Sequence, residues 1–346
     1  GATLSLSGSS LEIGTDILLP SGSLEVIAST GSILVTGTLS AAGKANTFFD
    51  LTRYTDGGDI ELNAEAGSVN LAAGSLVSVA APTGGESAGR LTIKSPGGAF
   101  LNNGSLNGQG GTDGRNGSFV LDALAVADFD SLTDSLEDAG FTRSMDFRLR
   151  TGDVTIGRDT TAQTFLLSTD GGSITVNNQI DASGETGGRI ELVARNNMTL
   201  SPTGSLTVAA QSFSNSGKGG HIHLEAGSAV NGSPNAVALL DLQAGSTIDL
   251  SVNEFVAGDY LTAGSSAFNG RFQGTLHLRA PRNGNDVRID QIDSTITGAS
   301  AISVEPFRIY EPGSGTMNIA LRDTINTDNT SFMNAGAAAM LARLLP

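Results

Sequence analysis

The side chains best suited to chemistry sit in one short string, His221-Ile222-His223-Leu224-Glu225. Polar and apolar residues alternate there, so on a strand His221, His223 and Glu225 share one face while Ile222 and Leu224 take the other. Two imidazoles at i and i+2 with a carboxylate are ligands for Zn²⁺ or Cu²⁺. The chain has 3 His in all, and the third, His277, belongs to this set only if strand stacking carries it there. No fourth ligand can be assigned, so the string also reads as the polar outer face of a strand. The expectation is therefore no catalytic residue, no cofactor and no committed metal site, with His221, His223 and Glu225 as the one metal candidate.

A second group is acidic. Asp128, Asp130, Asp134, Glu137 and Asp138 lie close in sequence to Arg143, Arg148 and Arg150, and carboxylates with basic neighbours serve calcium-dependent polysaccharide chemistry. The competing reading is a solvated helix face with acids near its favourable end. Gly110-Gly111-Thr112-Asp113-Gly114 hints at a calcium-binding nonapeptide but does not recur, and no EF-hand loop is present. Serine is abundant, yet no nucleophile elbow, phosphate loop or dinucleotide fingerprint falls between a strand and a helix. Two carboxylates a few ångströms apart would suffice for a glycosidase, which keeps a carbohydrate-active enzyme as the alternative function.

The elements that would position these groups are strands in a repeat. Gly-Gly followed by alternating apolar residues occurs as Gly57-Gly58-Asp59-Ile60-Glu61-Leu62-Asn63-Ala64, as Gly187-Gly188-Arg189-Ile190-Glu191-Leu192-Val193-Ala194, and as Gly219-Gly220-His221-Ile222-His223-Leu224-Glu225-Ala226. Looser copies start at Gly89, Gly117, Gly171 and Gly274, and a Gly-Ser form starts at Gly22, Gly31, Gly67, Gly204 and Gly245. Alternation buries one side of each strand: Ile60, Leu62 and Ala64 point in, while Asp59, Glu61 and Asn63 point out. A sandwich needs only alternation, whereas parallel coils stacked ~4.8 Å apart need the same motif in the same phase. The fold class expected is all-β, a right-handed parallel β-helix (solenoid) with coils of about 22 residues. Gly and Asn at the strand ends, including Asn102-Asn103, Asn177-Asn178 and Asn196-Asn197, are expected to take the positive φ of corners. Asn107-Gly108 and Asn269-Gly270 are isolated hairpin signals.

From about Ala123 to Arg150 the pattern changes. Phe129, Leu132, Leu136 and Ala139 fall on one helical face, Asp130 or Ser131 can cap its start, and Gly140 can end it. The organisation expected is β-helix coils over 1–122, a short amphipathic helical insertion over 123–150, coils over 151–330, and a C-terminal helix or cap, possibly truncated, over 331–346.

Composition narrows the function classes. With 346 residues, net charge −16 and 35 acidic against 19 basic residues, nucleic acid and anionic lipid are opposed electrostatically. No run of 18 apolar residues exists to span a bilayer as a helix. There is no Cys, hence no disulfide or thiol chemistry, and 46 Gly with only 14 Phe and 3 Tyr suit a thin core between many tight turns. Gly1-Ala2-Thr3-Leu4-Ser5-Leu6 already alternates like a strand, as expected of an excised or processed segment.

On these repeats, and on the stretch from Asp128 through Ala139-Gly140-Phe141-Thr142 into Phe147-Arg148-Leu149-Arg150-Thr151-Gly152-Asp153-Val154, the chain resembles the shaft of the filamentous haemagglutinin family of large exoproteins. That resemblance implies a right-handed β-helix, a secreted or bacterial cell-surface (outer-membrane associated) location, and an outer-membrane two-partner secretion (type Vb) transporter as partner. It also implies a structural or adhesive role toward a host, surface or glycan ligand, with end-to-end or side-by-side self-association, or the stalk of a contact-dependent toxin. The Asn-Pro-Asn motifs of the family's secretion domain are absent, Ser233-Pro234-Asn235 being the nearest string, and no Arg-Gly-Asp occurs.

Overall fold

The structure is a computed structural model that describes residues 1–210, 219–229, 234–252, 274–312 and 315–345. It is mostly β, with largely parallel sheets and few helices. The chain divides into two compact units, one of Gly1–Gly152, Arg158–Leu167 and Ile180–Ala182, the other of Asp153–Gly157, Ser168–Gln179 and Ser183–Pro346.

In the first unit, strands Thr3–Gly8, Ser23–Ala28, Asp59–Ala64, Arg90–Asn102, Ser118–Ala125 and Ser144–Leu149 pair in parallel in that order. Register keeps like with like: Leu24 faces Ile60, Ile60 faces Leu91, and Leu91 faces Phe119. A second ladder joins Leu11–Ile13, Ile33–Val35, Val69–Leu71 and the end of Arg90–Asn102. A third joins Ile17–Leu18, Thr38–Ser40, Leu76–Ser78 and Ser105–Asn107. Following the chain, strands enter the three ladders in rotation.

The second unit repeats this order. Arg189–Ala194, His221–Ala226, Gly274–Asn283 and Ala299–Phe307 form one ladder. Val154–Ile156, Ile174–Val176, Met198–Leu200 and Leu240–Leu242 form another. Ser205–Thr207, Thr247–Asp249 and Thr295–Thr297 form the third. The interval between stacked residues is not constant at about 22; it runs from 20 residues between Ser5 and Glu25 to 54 between His221 and Thr275.

Every complete Gly-Gly motif becomes a strand, and the inward residues Ile60, Leu62, Ala64, Ile190, Leu192, Ala194, Ile222, Leu224 and Ala226 are all buried. Each buried Ile or Leu contributes roughly 1.5–3 kcal/mol of transfer free energy. Positive φ is not what the Gly-Gly motif supplies. A Cβ on Gly58 would sit 1.9 Å from the Gly22 carbonyl oxygen, and one on Gly89 would sit 1.8 Å from that of Gly58. The motif glycines form a column where backbone stacks on backbone. The paired Asn residues are not left-handed either: outside Gly, the described positive-φ residues are Ser21 and Phe49. Asn instead bonds between neighbouring turns, as where Leu239 N–H donates to Asn197 Oδ1 (2.9 Å) and Asn196 Nδ2 donates to the Gly171 carbonyl (3.1 Å).

Antiparallel pairing is minor. One hairpin pairs Ala45–Phe48 with Leu51–Tyr54, turning at Phe49-Asp50 with Phe49 at φ 55°. A short one pairs Gly274–Asn283 with Asp286–Val287. Asn107 ends a parallel strand and is no hairpin turn, and Asn269-Gly270 lies outside the described residues.

Residues 123–150 contain the end of Ser118–Ala125, helix α1 (Phe129–Asp138) and Ser144–Leu149. The cap of α1 is Asp128, whose carboxylate accepts from Ser131 N–H at 3.0 Å and Ser131 Oγ at 2.7 Å, and not Asp130 or Ser131. At the other end Gly140, φ +81°, donates to the Glu137 carbonyl, and Phe141 N–H donates to that of Leu136, the paired bonds of a Schellman stop. Phe129, Leu132 and Leu136 are buried. Phe129 packs edge-on to Phe147 at 4.9 Å, within a Phe cluster that continues through Phe119 to Phe100 and Phe141. Gly108 N–H donates to the Ala139 carbonyl and Thr161 N–H donates to Glu137 Oε1, so α1 stands where the third ladder would otherwise have a rung.

At the C-terminal end α2 (Ile319–Ser331), a π-helical turn (Phe332–Gly336) and α3 (Ala337–Leu344) follow one another, so the helical segment starts at Ile319. Arg343 fastens α3 to Asp286 at 2.7 and 2.9 Å. Arg282 lies over the Phe332 ring at 4.3 Å and pairs with Asp328 at 3.1 Å.

Candidate functional site

The outward side chains of three adjacent strands in the second unit, His221–Ala226, Gly274–Asn283 and Ala299–Phe307, form a connected group of ionisable residues around the string that the sequence singled out. Parallel register sets His223 beside His277, Glu225 beside Arg279, and Arg279 beside Glu305. His223 Nδ1 lies 2.9 Å from His277 Nδ1. The far nitrogens face carboxylates: His223 Nε2 is 3.3 Å from Glu225 Oε2, and His277 Nε2 is 3.0 Å from Glu305 Oε2. Arg279 closes the circuit, donating from Nη1 to Glu225 and from Nε to Glu305 at 2.9 Å. His221 takes a separate partner, Thr275 Oγ1 at 2.9 Å.

Glu225 is buried at 7% exposure, which corrects its placement on a wet outer face. Burial pushes its carboxyl up, but the His223 hydrogen bond and the Arg279 charge outweigh that and hold it below the ordinary carboxylate value. Burial also lowers His221, aided by the charges of His223, Arg189 and His277 and opposed by Glu191.

The sequence candidates His221, His223 and Glu225 thus do not converge on one point. His223 looks across the sheet to His277 while His221 bonds Thr275, and among the described residues no group of three or more His, Cys, Asp or Glu could hold a metal ion. His277 joins His223 through the strand stacking on which its membership depended; Arg279 and Glu305 were missed, yet a signal existed for Arg279. Thr275-Leu276-His277-Leu278-Arg279-Ala280 is a phase-matched copy of His221-Ile222-His223-Leu224-Glu225-Ala226, and laying one over the other pairs the histidines and the Glu with the Arg.

Three of the acids near α1 have partners of their own. Asp128 caps the helix, and its hydrogen bonds to Ser131 lower its pKa. Asp134 pairs with Arg158 at 2.5 Å, and Glu137 takes Thr161 N–H. Arg150 forks onto Asp122 at 2.7 and 2.6 Å. No shared calcium cage forms among the described residues. Gly110 and Gly111 make turn hydrogen bonds to Asn116 Oδ1 and the Glu86 carbonyl.

The first unit also carries an open polar groove of about 790 Å³, with Glu25, Asp59, Glu61, Arg90, Thr92 and Arg143 in its wall. Glu61 pairs there with Lys94 at 2.6 Å, and Glu25 accepts from Ser5 Oγ at 2.9 Å. No family model, curated protein or solved structure matches the chain.

Proposed function

We propose that the chain is a segment of a right-handed parallel β-helical shaft with a structural or adhesive role on a secreted or surface-displayed bacterial exoprotein. The observation that carries this reading is the rotation of strands through three parallel ladders, each pairing with its counterpart one repeat on. Such a stack presents long, regular polar faces and devotes its core to Leu, Ile, Val and Ala ladders. Export by an outer-membrane two-partner transporter follows from the filamentous haemagglutinin resemblance, and a glycan or other surface ligand is the partner such a face would meet. The stalk of a contact-dependent toxin shares this architecture.

The polar groove with its carboxylates and arginines favours one second reading, a polysaccharide-active enzyme. A single experiment separates them. The labelled chain is applied to a panel of immobilised acidic and neutral polysaccharides and to cultured cells, with the supernatants assayed for new reducing or unsaturated ends. Retention without product supports the shaft reading; product release replaces it with the enzyme, and neither retention nor product refutes the adhesive role.

A further inference from the structure

Neutral imidazole carries one N–H and one lone pair, and the hydrogen bond made by one nitrogen decides which is which. At His223 and His277 the Nε2 positions face the carboxylates of Glu225 and Glu305, at 3.3 and 3.0 Å. A carboxylate can only accept, so the proton of each ring belongs on Nε2. Both Nδ1 atoms are then lone-pair donors, and they face each other at 2.9 Å. Two lone pairs at that separation repel unless a cation lies between them.

We propose that His223 and His277 form a cross-strand bis-imidazole site for a late first-row transition dication, with Cu²⁺ or Ni²⁺ the best fit. Two nitrogens each ~2.0–2.1 Å from a metal and 2.9 Å from each other subtend roughly 90° at it, the angle between adjacent positions of a tetragonal site. Glu225 and Glu305 occupy the place that carboxylates hold behind metal-bound histidines, fixing the tautomer and making the ring a better donor. Charge points the same way: Glu225 and Glu305 against Arg279 leave the surroundings negative, which a bound cation relieves. The His277 side chain is 27% exposed against 14% for His223, so the remaining coordination positions open to water on the His277 side. Two protein nitrogens explain why no three-ligand group appears, and the pairing differs from the one sequence suggested, since His221 is not a ligand.

The test uses the full chain titrated with Cu²⁺, and separately with Ni²⁺, at neutral pH, followed by visible absorption, calorimetry and, for copper, nitrogen hyperfine structure in electron paramagnetic resonance. Expected are one equivalent bound with two imidazole nitrogens, at least tenfold weaker binding in His223→Gln and in His277→Gln, and unchanged binding in His221→Gln. Circular dichroism and urea midpoints confirm that each variant folds; should His223→Gln or His277→Gln fail to, His223→Asn or His277→Asn replaces it. Equal weakening by His221→Gln would overturn the two-histidine assignment, and wild-type binding no tighter than in the His223→Gln/His277→Gln double variant would overturn the proposal and assign the space between the rings to a proton.

Discussion

At the scale of single residues, two kinds of glycine do two kinds of work. Gly58 lies under the Gly22 carbonyl, where any Cβ overlaps backbone that cannot move aside, whereas Gly74 has φ +87° and open space around it. Gly58→Ala should therefore cost about 1–3 kcal/mol as overpacking, and Gly74→Ala roughly 1–2 kcal/mol as left-handed strain alone. Urea denaturation compares them; a harmless Gly58→Ala would show that the column is not tight. The sequence marked Gly58 but suggested the wrong reason, because contact between residues a full repeat apart is invisible to rules about local φ. Arg279 escaped notice for the same reason. Glu225 supplies a pH prediction. Its folded-state pKa is below the ordinary 4.5, so the stability it contributes is present above about that value and is lost as pH falls through the lower, folded-state value. Glu225→Gln should flatten that acid limb and cost ~1–3 kcal/mol at pH 7 by leaving Arg279 less well partnered. An unchanged acid limb in the variant would remove Glu225 from the account.

At the scale of elements, α1 was readable in outline because Phe129, Leu132 and Leu136 recur at helical spacing. Its cap was not, since Asp128, Asp130 and Ser131 are all capping types and only the backbone decides, with Asp128 extended at φ −147°, ψ 108°. Asp128→Ala should lower the urea midpoint. Glu137 behaves oppositely: desolvation raises its pKa above the ordinary 4.5, with Asp134 and Asp138 adding to it. Its ionised form is thus disfavoured in the fold, and its contribution declines as pH rises through that raised value. Glu137→Gln keeps an acceptor for Thr161 N–H and should be neutral or slightly stabilising at pH 7; a loss as large as that from Asp128→Ala would contradict this. The α2 segment was illegible for a plain reason, having no apolar stripe and no buried residue. It is held by Arg282, Arg308 and Tyr310 on Asp328, contacts from 18 or more residues away that no periodicity shows.

At the scale of the whole molecule, the repeat phase carried most of the strand pairing, because the same alternation recurs along the parallel ladders and the inward positions of the three complete Gly-Gly motifs are buried. What it could not give was the uneven interval, since loops between motifs leave the ladder register untouched. Opposite faces of one strand should respond oppositely: Leu192→Asp puts an unpaired charge at a position with 0% exposure and should cost more than ~4 kcal/mol. Glu191→Lys, at the exposed Arg189 pair, should stay within about 1 kcal/mol. Equal tolerance at the two positions would reverse the assigned faces. The most direct test of stacked parallel ladders exploits a chain with no Cys of its own. Thr175 faces Thr199, and Thr199 faces Asp241, so Thr175 and Thr199 are one rung apart, at ~4.8 Å, while Thr175 and Asp241 are two rungs apart. Disulfides close at Cα separations of about 4.4–6.8 Å. Under mild oxidation Thr175→Cys with Thr199→Cys should cross-link within one chain, and Thr175→Cys with Asp241→Cys should not; failure of the first pair, or closure of the second, would contradict the stack on which the shaft reading rests.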